Sequence, residues 1–222
     1  MEAATLQFIA AQLRKPEGDS GIQMGERMNE GNRYINEHTI EALAVSGNDR
    51  ILEIGMGNGF FVRRILEGEP GVHYTGCDFS PEMVQECERR NVDLIKAGRA
   101  GFLVADALEL PFPDNSFDKA FAVNSLYFWE APDETLAEIR RVLRPSGLLL
   151  LAIRPKHRME HYPFVKYGFS MYNAPDLEAL LTRNGYKLIE TIVREEPEQN
   201  LTERDIKVET LIVIAKAPAL AN

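Results

Sequence analysis

The sequence has only two cysteines in 222 residues and no long apolar run. Cys77 and Cys87 lack the spacing of a metal site, and two cysteines cannot build the disulfide framework of a small secreted domain. No stretch approaches the roughly 20 apolar residues of a membrane span, and no signal peptide is visible. These absences predict a cytoplasmic protein without a metal site or a membrane span.

The sequence also lacks an excess of positive charge. It contains 25 lysines and arginines against 34 aspartates and glutamates, which gives a net charge of −9. A protein that grips a phosphate backbone usually presents a basic face, so nucleic acid is not an expected partner. The basic cluster Arg140, Arg141 and Arg144 falls where a helix is predicted to end, and cations are favourable at that end of a helix.

A change in the hydrophobic pattern near residue 50 divides the chain. Residues 1–45 show irregular helical periodicity, whereas residues 46–222 alternate short apolar runs with amphipathic helices. This alternation predicts an α/β fold, with a mostly parallel sheet covered by helices on both faces. No helix is predicted between the last two strands, so one of them is expected to be antiparallel. The polar stretch 195–205 between them is expected to be a solvated loop.

Three glycines follow the first predicted strand at alternate positions. In open α/β sheets, ligands bind beyond the carboxyl ends of the strands. Gly55 would permit a tight turn, Gly57 would let a ligand touch the backbone, and Gly59 would let the loop lie flat where a helix begins. The spacing G-x-G-x-G differs from the G-x-G-x-x-G of dinucleotide folds, and Glu53 in the preceding strand suits an ammonium group better than a pyrophosphate.

Acidic residues also end the next two predicted strands. Asp78 can accept hydrogen bonds from both hydroxyls of a ribose, each worth about 1.5–3 kcal/mol, and Phe79 can stack on a purine. Asp106, followed by Ala107, can accept a hydrogen bond from the amino group of an adenine. Together with Glu53, these strand ends predict partners for an ammonium, a ribose and an adenine.

Four stretches carry a resemblance to a known family: ILEIGMGNG, YTGCDFS, FLVADALELPFPDNSFDKAFA and IRRVLRPSGLLLLA. In order and spacing they resemble the motifs of class I S-adenosylmethionine-dependent methyltransferases, in particular the small-molecule branch with the ubiquinone and menaquinone C-methyltransferases. The resemblance covers about residues 48–155. It implies a Rossmann-like three-layer sandwich with a seven-stranded, mostly parallel sheet, a helical N-terminal cap over 1–45, and S-adenosylmethionine as the cofactor.

The resemblance also implies cofactor contacts at the strand ends. In chain order, these are Glu53 and the loop Gly55–Gly59 for the methionine end, Asp78 for the ribose, Phe79 beside the adenine, Asp106 and the Ala107 backbone for the adenine edge, and Asn124 beneath the sulfonium.

The resemblance does not name a catalytic residue. Transfer from a sulfonium mainly requires alignment, and a base is needed only when the acceptor must lose a proton. The stretch NSLYFWE offers Tyr127. It keeps the outer residues of the Asn/Asp-Pro-Pro-Tyr/Phe motif of amine-methylating members but lacks both prolines. Packing of its aromatic side chains against the pocket wall would explain the stretch equally well.

Two further segments offer acceptor contacts. The connection 154–175 is predicted to be a substrate lid because it is long and rich in aromatic residues, and it contains His157 and His161. The N-terminal segment contains Asn32 and Tyr34, which would contact the acceptor if this segment closes over the cofactor. In both segments, an ordinary packing or solvated role remains the alternative.

The sequence therefore predicts an S-adenosylmethionine-dependent methyltransferase that acts on a small molecule by in-line displacement. The alternatives are an amine methyltransferase acting on protein or nucleic acid, a protein that binds S-adenosylmethionine without catalysis, and a nicotinamide-dependent oxidoreductase. The acceptor, the methylated atom and the oligomeric state are not determined by the sequence.

Overall fold

The fold is built on one seven-stranded sheet within residues 2–202 and 204–219, which the computed structural model describes. The short strands in the first half of the chain and the two long final strands correspond to the apolar runs of the sequence. The strands are β1 (Arg50–Ile54), β2 (His73–Asp78), β3 (Ala100–Val104), β4 (Phe117–Val123), β5 (Leu143–Ile153), β6 (Lys187–Thr202) and β7 (Arg204–Lys216).

The sheet has the order β3-β2-β1-β4-β5-β7-β6. Strands β1 to β5 pair in parallel, whereas β7 is antiparallel to both β5 and β6. The predicted mostly parallel sheet with one antiparallel strand is therefore confirmed. The chain order reverses between β1 and β4, and ligands of open α/β sheets bind at such a point.

Helices cover both faces of the sheet. Local signals begin two of them: Ser80 caps a helix by accepting from the Met83 backbone N–H at 3.3 Å, and Asn173 begins another with a reciprocal capping box. Within the described residues, no helix is both long and apolar enough to span a membrane. The helices are α1 (Ala3–Arg14), α2 (Gly18–Gly31), α3 (Arg33–Leu43), α4 (Val62–Ile65), α5 (Pro81–Arg90), α6 (Val92–Lys96), α7 (Pro132–Val142), α8 (Lys156–Met159) and α9 (Ala174–Arg183).

Alternating side chains of the central strands supply two apolar cores, one for each face of the sheet. On one face, Leu52 of β1 belongs to a cluster that includes Leu136 of α7. On the other face, Ile51 clusters with Ile35 of α3 and Ile65 of α4. All five side chains are buried, so α3 of the N-terminal segment packs directly on the sheet.

The stretch 195–205 differs from the solvated loop that its polarity suggested. Strand β6 continues through it to Thr202, and β7 begins at Arg204, so the two strands form a long β-ribbon; residue 203 lies outside the described residues. The pairing register shifts between Glu196 and Gln199, around Pro197, where a proline can be tolerated in a strand. Pairing between strands has therefore overridden the local polar composition.

Candidate active site

A cavity of about 280 Å³ lies at the carboxyl ends of the parallel strands. Its walls come from the segments that follow β1, β2, β3 and β4, and from α1, α2 and α3. We call α1, α2 and α3 the cap helices. The predicted glycine loop and strand ends therefore meet in one cavity, on which the cap helices lie.

The glycine loop has the backbone shape that its sequence suggested. Gly57 has a φ of 57°, and a Cβ added there would meet no atom within 4 Å. The loop backbone at Gly57 is therefore open toward a ligand. Gly55 and Gly57 are both part of the cavity lining. Gly59, with a φ of 66°, is not part of the lining; a Cβ there would collide with the Cys87 thiol of α5. Gly59 therefore shapes the loop by its packing against α5.

Glu53 is a buried carboxyl group at the base of the cavity. It accepts a hydrogen bond from the Tyr74 hydroxyl at 2.5 Å. Burial raises the pKa of Glu53 from 4.5 to about 7, and the charge of Asp78 raises it further, whereas the Tyr74 hydrogen bond lowers it. A buried carboxyl with one hydroxyl partner is a suitable site for a cationic group, which would favour the ionised form.

Asp78 is also buried, but its carboxylate is held by the backbone. One oxygen accepts from the Gly57 N–H at 3.0 Å and the other from the Ser80 N–H at 2.9 Å. Burial raises the pKa of Asp78, and these hydrogen bonds oppose the rise. Each carboxylate oxygen has a second lone pair for a ligand hydroxyl. Asp78 can therefore bind a diol while it fixes the glycine loop.

The remaining predicted cofactor positions also line the cavity. Phe79 is 40% exposed, so its ring is available to a ligand, and the Lys15 ammonium lies 5.8 Å from the ring centroid. Asp106 and Ala107 follow β3, where an Asp106 oxygen accepts from the Leu108 N–H at 2.9 Å. The structure brings these residues together with Glu53 and Asp78 in the lining of one cavity.

Asn124 follows β4 in a left-handed backbone conformation, with φ of 54°. Its backbone N–H donates to the Ala152 carbonyl at 2.9 Å, so the neighbouring strand β5 holds it in place. Its side-chain amide donates to Asn32 Oδ1 of the cap at 3.2 Å. Both asparagines line the cavity, whereas Tyr34 does not and is 38% exposed.

None of the three candidate catalytic residues lines the cavity. The buried Tyr127 hydroxyl accepts from the Arg154 N–H at 2.6 Å and lies 3.0 Å from the Arg154 carbonyl oxygen, and burial raises the pKa of Tyr127. His157 is exposed and contacts Glu209, with 3.0 Å between Nε2 and Oε2. His161 is exposed outside the cavity. The structure therefore does not bring these three side chains to one reacting centre.

The segment 154–175, predicted to be a substrate lid, lies beside the cavity. None of its described residues is part of the lining. The Phe169 ring packs on Phe128, which does line the cavity, with 4.6 Å between the centroids, and the Ser170 N–H donates to the Tyr127 carbonyl at 2.9 Å. The segment thus supports the wall that follows β4, and its role as a lid remains a prediction.

Two groups of site residues were not found by sequence reasoning. The cap helices contribute Leu13, Met28 and Asn29 to the lining, and their helical periodicity alone did not show which side faces a ligand. The buried pair Arg154 and Glu196 lies at the same edge of the sheet, with 2.9 Å between Nη2 and Oε2. Arg154 directly follows an apolar strand, and this position could have indicated that it lies at the carboxyl edge of the sheet. Glu196 lies in the polar stretch that was predicted to be a loop, so its sequence position gave no such indication.

Comparisons with known proteins identify the family. A methyltransferase domain matches residues 52–151. The O-methyltransferase rstn1 of Aspergillus nomiae NRRL is 32% identical over 163 residues, which are 68% of this chain and 69% of that protein. This chain belongs to the S-adenosylmethionine-dependent methyltransferase family. The methyltransferase has S-adenosylmethionine as its cofactor, and the nicotinamide alternative is set aside.

Two further comparisons agree with this family. The ubiquinone/menaquinone biosynthesis C-methyltransferase UbiE of Paracoccus denitrificans is 30% identical over 162 residues, 71% of this methyltransferase but only 64% of the relative. A chain in the complex between the Haloferax volcanii Trm112 methyltransferase activator and the putative methyltransferase has a TM-score of 0.76 at 20% identity, with 96% of this chain and 97% of that chain covered. This last likeness concerns the fold alone.

Proposed function

We propose that the protein transfers a methyl group from S-adenosylmethionine to a small-molecule acceptor that binds between the cap helices and the carboxyl ends of the strands. The observation that carries the proposal is the composition of the cavity walls. The lining combines the carboxylates and the glycine loop with apolar side chains, among them Leu13 and Met28 of the cap and Phe128 and Trp129, which follow β4. Polar contacts for a cofactor and apolar contacts for an acceptor thus share one cavity.

The residues present fit S-adenosylmethionine. Glu53 would pair with its ammonium, and the backbone around Gly57 would lie against its methionine end. Asp78 would accept from the ribose hydroxyls, while Phe79 and Asp106 with the Ala107 backbone would flank and bind the adenine. The buried Glu53 carboxyl supports this assignment, because burial raises its pKa and an ammonium group beside it would favour the ionised form.

The chain's own contribution to the reaction would be alignment and exclusion of water. S-adenosylmethionine supplies an already activated methyl group, so orientation of the acceptor is worth about 7–11 kcal/mol of the barrier. Asn124 lines the cavity and is held there by its bonds to β5 and to Asn32. We propose that Asn124 orients the reacting groups and that the cap helices exclude water.

The apolar wall supports a planar or apolar acceptor. Phe128 and Trp129 provide aromatic surface, and Arg14 of the cap forms an ion pair with Glu130 beside them. Aromatic rings favour stacked or edge-on contact with flat ligands. O-Methyltransferases and C-methyltransferases are both among the relatives, so the methylated atom is left open.

Amine methylation of protein or nucleic acid is less well supported. The stretch Asn124–Tyr127 has no prolines, and its terminal tyrosine does not line the cavity: the hydroxyl is bound to the Arg154 backbone and to Asn124 Oδ1, at 3.1 Å from the latter. An amine acceptor would therefore lack the aromatic contact that this position provides in amine-methylating enzymes. The net charge of −9 also disfavours a nucleic-acid substrate.

Methyl transfer in a cell extract tests the proposal. The extract, from the cells that make the protein, is separated into small molecules and macromolecules, and each fraction is incubated with enzyme and S-adenosylmethionine labelled in the methyl group. We expect enzyme-dependent label in the small molecules, and at least tenfold less with Asp78→Asn.

The matched control is Asp133→Asn, which changes an exposed aspartate of α7 that pairs with Arg183 away from the cavity. It should label the small molecules like the parent enzyme. Label that appears only on protein or nucleic acid would contradict a small-molecule acceptor.

A further inference from the structure

Arg154 joins the cap helices to the sheet. It directly follows β5, and its side chain is only 9% exposed. Its guanidinium donates to the Gly31 carbonyl at 2.6 Å and to Asn32 Oδ1 at 3.3 Å. Gly31 and Asn32 form the junction between α2 and α3. One buried cation therefore holds the junction of the two helices that lie over the cavity.

Glu196 of the β6–β7 ribbon balances this cation. Its side chain has no exposed surface and accepts from Arg154 Nη2 at 2.9 Å and from the Thr210 hydroxyl at 2.9 Å. A buried ion pair gains little net stability, because both charges lose their hydration. A pair with this many directed hydrogen bonds is better suited to fixing a geometry than to stabilising the fold.

Asn32 connects the ion pair to the cavity. An asparagine before a helix usually caps it by accepting from a backbone N–H of the first turn. The Asn32 side chain makes no such bond to α3. Its Oδ1 instead accepts from Arg154 Nη1 and from Asn124 Nδ2, at 3.3 and 3.2 Å. The cap is thus bonded both to the buried cation and to the cavity residue Asn124.

We propose that Arg154 is a positioning residue that fastens the α2–α3 junction over the cofactor and orients Asn124 through Asn32. This inference rests on the proposed function for its effect on the cofactor. The cap helices line the cavity, so a bound cofactor or product would lie against them. The tether should therefore set how long S-adenosylhomocysteine stays bound, while the fold itself survives without it.

The test is a double variant, Arg154→Met with Glu196→Gln. Removing Arg154 alone would leave the buried Glu196 charge unpaired, which destabilises proteins severely. In the double variant no charge is buried alone, and the new amide still accepts from Thr210. The matched control is Arg183→Met with Asp133→Asn, which removes an exposed ion pair whose two residues do not line the cavity.

Two measurements are made on the full chain. Backbone hydrogen exchange without ligand reports the tether itself, and we expect at least tenfold faster exchange in residues 18–43 of the double variant, with the sheet unchanged. The dissociation rate of S-adenosylhomocysteine reports the consequence, and we expect it to rise at least tenfold. The control variant should match the parent in both measurements.

The outcomes separate this inference from the proposed function. Unchanged exchange in residues 18–43 would overturn the tether. Faster exchange with an unchanged dissociation rate would overturn its role in retaining the ligand. A parent protein that does not bind S-adenosylhomocysteine would contradict the cofactor site, and hydrogen exchange would still decide the tether.

Substitution of Asn32 separates a positioning role from simple packing. Asn32→Asp keeps an oxygen that can accept from Arg154 and Asn124, whereas Asn32→Ala removes it. We expect fast ligand dissociation in Asn32→Ala and a rate within threefold of the parent in Asn32→Asp. Equal rates in the two variants would overturn the hydrogen-bonded connection.

Discussion

At the scale of single residues, Glu53 and Asp78 show how one cavity can hold two different carboxyl groups. Asp78 receives two backbone N–H groups, which favour its ionised form. Within the part of the chain that the structure describes, the Glu53 carboxyl has only the Tyr74 hydroxyl as a hydrogen-bond partner, and burial raises its pKa to about 7. Glu53 is therefore the group whose charge should change near neutral pH, and it lies where a cationic ligand end is proposed to bind.

Glu53 should couple pH to both stability and binding. The pKa of Glu53 is about 7 in the folded protein and 4.5 in the unfolded chain, so the folded protein keeps this proton to a higher pH. The protonated carboxyl therefore contributes stability below pH 4.5, and this contribution is lost as the pH rises through 7. The shift corresponds to roughly 3 kcal/mol at full ionisation. Glu53→Gln should therefore raise the thermal midpoint at pH 8, while it weakens binding of S-adenosylhomocysteine.

Calorimetric titration between pH 6 and pH 8 checks the binding half of this prediction. Affinity of the parent protein for S-adenosylhomocysteine should increase with pH, by about tenfold over this range, because the ammonium requires the ionised carboxylate. Affinity of Glu53→Gln should be lower and independent of pH. The titratable groups that face Glu53 are Asp78, the Tyr74 hydroxyl and the thiols of Cys77 and Cys87. Burial raises the pKa of the hydroxyl and of both thiols, so these three groups stay protonated between pH 6 and pH 8. A parallel pH dependence in both proteins would contradict the assignment.

Some of these residues were predictable from sequence and others were not. Glu53, Asp78 and Asp106 could be placed because each ends an apolar run, and the carboxyl ends of parallel strands meet at one edge. The environment of Tyr127 could not be predicted, because its hydroxyl bonds depend on the backbone of Arg154, 27 residues further along the chain. Sequence spacing predicts which residues lie at the carboxyl edge of the sheet, but it does not predict the hydrogen-bond partner of each side chain.

At the scale of elements, the fit of α2 against the glycine loop depends on Gly25. A Cβ at Gly25 would lie 3.2 Å from the Met83 sulfur of α5 and 3.3 Å from the Asn58 side-chain nitrogen. Both distances are shorter than ordinary van der Waals contact, so any side chain at residue 25 would press on Met83 and Asn58. Gly25, Asn58 and Met83 all line the cavity.

Gly25→Leu should therefore push α2 away from the loop and weaken binding of S-adenosylhomocysteine at least tenfold. Overpacking of this kind costs about 1–3 kcal/mol, so the fold should persist. Gly101→Leu is the control, because a Cβ at this exposed position of β3 meets no atom within 4 Å and Gly101 does not line the cavity. Titration calorimetry should find the control within threefold of the parent, and equal losses in both variants would refute the close approach.

The β6–β7 ribbon shows what local composition does not reveal. Its tip is polar, yet the strands stay paired beyond Glu196, whose side chain is buried against Arg154. The sequence shows that Glu196 is charged, but it does not show that Glu196 is buried, because its partner Arg154 lies far away in the chain. Ser80 and Pro81 gave a correct helix start because a cap and its helix are adjacent in sequence.

At the scale of the whole molecule, the candidate active site has two parts, the carboxyl edge of the sheet and the cap helices. The sheet edge follows from strand alternation, and the family match over residues 52–151 covers it. The position of α1–α3 follows instead from long-range contacts, such as Ile35 in the sheet core and Arg154 at the α2–α3 junction. This explains why the sequence could place the strand-end residues at one edge of the sheet but could not show which cap residues line the cavity.

The central claim is that the cavity beneath the cap is an S-adenosylmethionine site that depends on Asp78. The most direct measurement is the thermal midpoint of the parent and of Asp78→Asn with S-adenosylmethionine, S-adenosylhomocysteine, NAD and NADP in turn. A ligand at 100 times its dissociation constant stabilises by about 2.7 kcal/mol, or roughly 5–10 °C at this size. The account predicts such a shift with the two S-adenosyl compounds alone, and a much smaller one in Asp78→Asn. A shift with a nicotinamide nucleotide alone, or an equal shift in both proteins, would contradict it.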